Sequence, residues 1–89
     1  MKKVRRPKTN LVQLRLLSIL KNVSPIRFTE LRTLFIDHYG DEYQDISIHE
    51  IMQRNIRKLI ANEDVIAEGK RDRLFCISPK GLERLTYLI

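Results

Sequence analysis

The residues in this 89-residue chain whose types and spacing could do chemistry are mostly cations, gathered in three places. Lys2, Lys3, Arg5, Arg6 and Lys8 open the chain, His49, Gln53, Arg54, Arg57 and Lys58 lie in its middle, and Lys70, Arg71 and Arg73 stand near its end. Arginine donates two parallel hydrogen bonds to guanine, glutamine pairs with adenine, and lysine or arginine holds phosphate, so these side chains suit a nucleic-acid partner. Other chemistries find little support. His49-Glu50-Ile51-Met52-Gln53 begins like a zinc-peptidase helix but has Gln53 where the second histidine is required one turn on. His38 and His49 are the only histidines and Cys76 the only cysteine, so no internal disulfide and no thiolate-rich zinc site are expected. Cys76 reads as a small half-buried strand residue, with a redox-sensing or intersubunit thiol as the alternative. No glycine-rich phosphate loop and no serine, histidine and carboxylate spacing suggests catalysis, so neither an enzyme nor a cofactor is expected.

Charge distribution refines this reading. Lys and Arg number 17 against 11 Asp and Glu, a net charge of +6, and the pI is about 9.8. Removing the five cations of residues 1–8 leaves 12 against 11, so the body from Thr9 to Ile89 is close to neutral. Residues 1–8, interrupted by Pro7, read as a flexible basic arm, and residues 9–89 as one domain. The arm is expected either to enter a minor groove or to be a solubilising tail. Within the body Asp37, Asp41, Glu42 and Asp45 form an acidic stretch. No apolar run approaches the roughly 20 residues of a membrane span, and polar residues interrupt any signal-peptide core, so a cytoplasmic protein is expected.

The elements that would position the cations follow from periodicity. Val12, Leu16, Ile19, Leu20 and Val23 recur at helical spacing from Asn10 to Val23, and Ser24-Pro25 stops that helix. Ile26 to Phe28 is a short extended link. Thr29 is expected to cap a second helix carrying Leu31, Leu34, Phe35 and Tyr39, with Gly40 as its stop and Asp41 to Asp45 as a polar connection. Ser47-Ile48-His49-Glu50 is a capping box flanked by Ile46 and Ile51, which predicts a helix from Ile48. Its apolar face is Ile48, Ile51, Met52, Ile56, Leu59 and Ile60, leaving Glu50, Gln53, Arg54 and Arg57 outward. Val65–Glu68 and Arg73–Ile77 read as a hairpin about Gly69-Lys70-Arg71-Asp72. Ser78-Pro79 then caps a last helix with Leu82, Leu85, Leu88 and Ile89 on its apolar side.

The order is mainly α with a small β-hairpin: helix, short strand, helix, helix, two-stranded wing, C-terminal helix. This is the order of a winged helix-turn-helix domain. Arg27-Phe28-Thr29-Glu30-Leu31-Arg32 resembles the start of the second helix in HxlR- and PadR-type regulators, and Ile46 through Ile66 resembles their recognition helix and its exit. Arg73 through Leu82, with its Ser78-Pro79-Lys80-Gly81, is similar to the closing element of MarR-, PadR- and HxlR-type proteins. Small archaeal viral and plasmid winged-helix proteins are as close in size. Phe35 to Asp45 is longer than the tight turn of the regulators.

The resemblance implies double-stranded DNA as partner and a transcriptional regulator as function. His49, Gln53, Arg54, Arg57 and Lys58 would then face the major groove, while Lys70, Arg71 and Arg73 would grip the backbone or minor groove. By periodicity alone the third helix could equally present a solvated polar face, and a charged hairpin tip also protects an exposed edge. A homodimer through the first and last helices is expected, with no membrane contact and no small-molecule effector evident. The competing reading is a protein-interaction module within a transcription or replication assembly.

Overall fold

A computed structural model describes residues 9–43, 47–71 and 73–88. The basic arm, the staple residue Ile46 and the turn residue Asp72 lie outside the described residues. The described residues form four helices and a small antiparallel sheet: α1 (Thr9–Val23), β1 (Ile26–Arg27), α2 (Phe28–Tyr39), α3 (Ile48–Ala61), β2 (Val65–Glu68), β3 (Leu74–Ile77) and α4 (Pro79–Leu88). A 3₁₀ turn, Gly40–Tyr43, extends α2.

The sheet order is β1-β3-β2, so the short link before α2 is a third strand beside the hairpin. Ile26 pairs with Phe75 and Arg27 with Leu74, while Val65, Ile66, Ala67 and Glu68 pair with Ile77, Cys76, Phe75 and Leu74. Alternation then sends Val65 and Phe75 into the core and leaves Ile66 and Leu74 exposed. Cys76, opposite Ile66, is half-buried, in keeping with its strand position.

The core gathers side chains from every helix. Leu16, Leu17 and Leu20 of α1 are fully buried against Leu31 and Phe35 of α2, Met52 and Leu59 of α3, and Leu85 of α4. Three sequence expectations about this core are corrected. Val23 is exposed because it is the last residue of α1, Leu82 because it sits at the edge of the stripe set by buried Gly81 and Leu85, and the buried fifth member of α1 is Leu17. The expected polar connection after α2 instead buries Tyr43, whose ring lies 5.5 Å from that of Phe35. Arg15 holds this turn from α1, donating to the Tyr43 hydroxyl at 2.9 Å and to Glu42 Oε1 at 2.9 Å while lying 4.4 Å above the Tyr39 ring. Burial works against the Arg15 charge, but the Glu42 and Tyr43 partners outweigh it and raise the guanidinium pKa above its ordinary value.

Helix ends follow local chemistry, with two departures from expectation. The N-cap of α2 is Arg27 rather than Thr29, because the chain leaves β1 directly into the helix; the Arg27 N–H donates to Glu30 Oε1 at 3.3 Å. Gly40 ends α2 in the right-handed region, φ −55°, and the chain winds on as 3₁₀ turn rather than reversing. At α3 the Ser47 hydroxyl accepts from the Glu50 N–H at 3.4 Å, one half of the expected capping box. The helix closes in a Schellman arrangement, with Asp64 N–H on the Leu59 carbonyl and Glu63 N–H on that of Ile60, and Glu63 at φ 65°.

The start of α4 is joined to that turn. The Ser78 hydroxyl accepts from the Gly81 N–H at 2.9 Å and donates to the Glu63 carbonyl at 2.6 Å, while Ser78 N–H donates to the Asp64 carbonyl at 3.0 Å. A Cβ on Gly81 would stand 2.2 Å from the Asp64 carbonyl oxygen, so only glycine allows this approach. A polar chain runs from here into the helices. Asp64, fully buried, pairs with Arg84, which also donates to Gln13 Oε1 at 2.8 Å; Gln13 reaches Asn55 Oδ1 at 3.4 Å, and Asn55 donates to the Ile51 carbonyl at 2.8 Å.

Candidate nucleic-acid interface

The amphipathic pattern of α3 decides which of its side chains are free. Met52, Ile56 and Leu59 are buried beneath it, and His49, Gln53, Arg54, Arg57 and Lys58 are all exposed. Glu50 is exposed with them, its carboxylate in the first turn where the helix dipole favours it. The His49 ring meets Phe28 edge to face at 5.3 Å, which ties the first turn of α3 to the first turn of α2.

Beside α3 the hairpin presents Lys70, Arg71 and Arg73, all exposed. Gly69 at φ 94° starts its turn, a backbone state that glycine adopts without cost. The Arg73 guanidinium lies 6.0 Å from the Phe75 ring centroid. Because Arg27 is paired with Leu74, the sheet register sets the start of α2 next to Arg73.

The three elements border an open cavity of about 380 Å³. Arg57 and Gln53 approach from α3, Arg71 and Arg73 from the hairpin, and Arg27 and Thr29 from the start of α2. Phe28, Ile56, Ile60 and Phe75 supply the apolar part of the lining. Arg54 and Lys58 flank a second depression on the outer face of α3, shared with Glu50, Gln53 and Arg57. Of the residues expected from the sequence, Gln53, Arg57, Arg71 and Arg73 therefore converge, whereas His49, Arg54, Lys58 and Lys70 lie outside the cavity lining. Lys2, Lys3, Arg5, Arg6 and Lys8 fall outside the described residues.

Arg27 and Thr29 are additions to the set read from the sequence. Two residues of strand are too few for alternation to register, so only the pairing of β1 with β3 reveals that Arg27 faces the wing.

Among the described residues the cationic surface carries little internal compensation; Asp72, between Arg71 and Arg73 in sequence, lies outside them. Among the described residues the ion pairs are Arg15–Glu42 and Arg84–Asp64, and both lie away from the cavity arginines. Clustered guanidiniums without carboxylate partners repel one another, and an anion relieves that repulsion while accepting their hydrogen bonds. Searches of protein-family models, curated proteins and solved structures return no match to this chain.

Proposed function

We propose that this chain is a sequence-specific double-stranded DNA-binding transcriptional regulator built on a winged helix-turn-helix framework. The observation that carries the reading is the convergence of Gln53 and Arg57 from α3 with Arg71 and Arg73 from the hairpin at one concave surface. In this reading α3 enters the major groove with Gln53, Arg54 and Arg57 toward base edges, and Lys58 and His49 stand at its margins. The hairpin holds the adjacent backbone or minor groove through Lys70, Arg71 and Arg73. The strand order β1-β3-β2 after a helix, and the two helices between β1 and β2, support the framework. Exposed Leu11 on α1 and exposed Leu82 and Tyr87 on α4 support a homodimer through those helices.

Selection from a random duplex pool tests the reading directly. A preferred sequence should emerge, with half-sites about 34–36 Å apart if two copies bind. Replacing Arg54 and Arg57 with alanine should abolish that preference and leave thermal unfolding unchanged. A folded double variant with the same preference would overturn the role of α3. An empty selection would favour α3 as a protein-docking face, the alternative compatible with the exposed acids Asp37, Asp41 and Glu42.

A further inference from the structure

The cavity between α2, α3 and the hairpin is more elaborate than a contact to duplex phosphates requires. Its volume of about 380 Å³ lies within the range of roughly 300–1,000 Å³ typical of small-molecule sites. Its four arginines come from three separate elements, Arg27 from the start of α2, Arg57 from α3, and Arg71 and Arg73 from the hairpin. No carboxylate lines it among the described residues, and Asp72 lies outside them. Behind the guanidiniums the surface is apolar: Ile56 and Phe75 are almost completely buried, and Phe28 is half-buried. The first turn of α2, with Phe28 and Thr29, adds backbone N–H groups that no helical carbonyl satisfies.

We propose that this cavity binds a small phosphorylated ligand of the nucleotide class, and that the ligand excludes duplex DNA from the same surface. Four guanidiniums match a multiply charged phosphate, which accepts their paired donors. The apolar remainder, where the half-buried Phe28 ring lies among exposed guanidiniums, matches a base, which stacks on guanidinium planes and aromatic rings. A bare phosphate would leave the apolar part uncovered. The exclusion follows from shared residues: Gln53, Arg57, Arg71 and Arg73 would serve both partners. That second half rests on the DNA-binding reading, whereas the nucleotide site does not.

The test is a titration of the ¹⁵N-labelled full chain with adenosine 5′-monophosphate, adenosine and inorganic phosphate at physiological salt. The monophosphate should shift the amides of Phe28, Thr29, Gln53 and Arg57 saturably, with affinity at least about tenfold above that for phosphate, and adenosine should not saturate. The pair Arg27→Gln and Arg57→Gln should weaken the monophosphate by at least about tenfold, while Lys21→Gln, in the last turn of α1 and outside the cavity lining, should leave it unchanged. Because all three side chains are exposed, the spectra should confirm that each variant is folded. Equal affinity for monophosphate and phosphate, or undiminished binding by the folded double variant, would overturn the nucleotide site. In a second arm the monophosphate should displace a labelled duplex, and failure to displace it would overturn the exclusion. Nucleotide binding in a chain with no duplex affinity would instead leave the site standing and remove the DNA-binding reading.

Discussion

Gly81 and Glu63 face the same junction with opposite demands. At Gly81 the backbone is helical and the difficulty is space, since any Cβ meets the Asp64 carbonyl at 2.2 Å. Gly81→Ala should therefore destabilise the chain by about 2–4 kcal/mol, because the obstacle is backbone and cannot turn aside. At Glu63 the space is open and the difficulty is the backbone, φ 65°, which disfavours a side chain by about 1–2 kcal/mol. Glu63→Gly should leave stability unchanged or raise it by up to about 1 kcal/mol, since relief of strain exceeds the added entropy of the unfolded chain. Urea unfolding of the two variants measures both signs. The Ser78-Pro79-Lys80-Gly81 motif was legible as a helix start from its serine and proline alone. Its glycine was not, because the need arises from a contact with Asp64, 17 residues away in sequence. The same holds for Asp64 and Gln13, which meet Arg84, and for Asn55, which meets Gln13; no periodicity marks these polar residues as interior.

Elements were legible in proportion to their length and to the chemistry at their ends. The exposed and buried faces of α3 follow its sequence pattern, and Ser47 caps it through one of the two bonds of its motif. The polar stretch after α2 misled because burial of Tyr43 depends on Arg15 from a distant helix, which turns an apparent loop into an ordered turn. β1 was too short to show alternation, and with it the approach of Arg27 to the hairpin went unread. The hairpin itself supports a separate prediction. If Lys70 and Arg71 hold phosphates, changing both to glutamine should weaken binding to all duplexes alike and lower the salt slope by about 0.9 for each phosphate no longer neutralised. The order of preference among duplexes should persist, since base readout is assigned to α3. Fluorescence anisotropy against two duplexes at several salt concentrations separates slope from preference.

Over the whole molecule, net charge says less than its placement. The five cations of residues 1–8 account for most of the +6, yet the body still places four arginines around one cavity and leaves Asp37, Asp41 and Glu42 exposed elsewhere. Removing residues 2–8 should reduce affinity for any duplex and flatten its salt dependence, while the sequence preference stays with the body. Binding isotherms of the shortened chain over a salt series measure this, and loss of preference along with affinity would assign specificity to the arm. The described helices contain none long and apolar enough to cross a membrane.

The junction of α3, β2 and α4 also determines how the molecule opens. Amide hydrogens of Asp64, Ser78 and Gly81 are bonded to Leu59, Asp64 and the Ser78 hydroxyl in turn, so releasing one loosens its neighbours. Under native conditions these three amides should exchange with deuterium through a single opening event, at one common free energy, together with the last turn of α3. The C-terminal helix is then not a detachable appendage: its departure would unlatch the exit of the helix that carries Arg54 and Arg57.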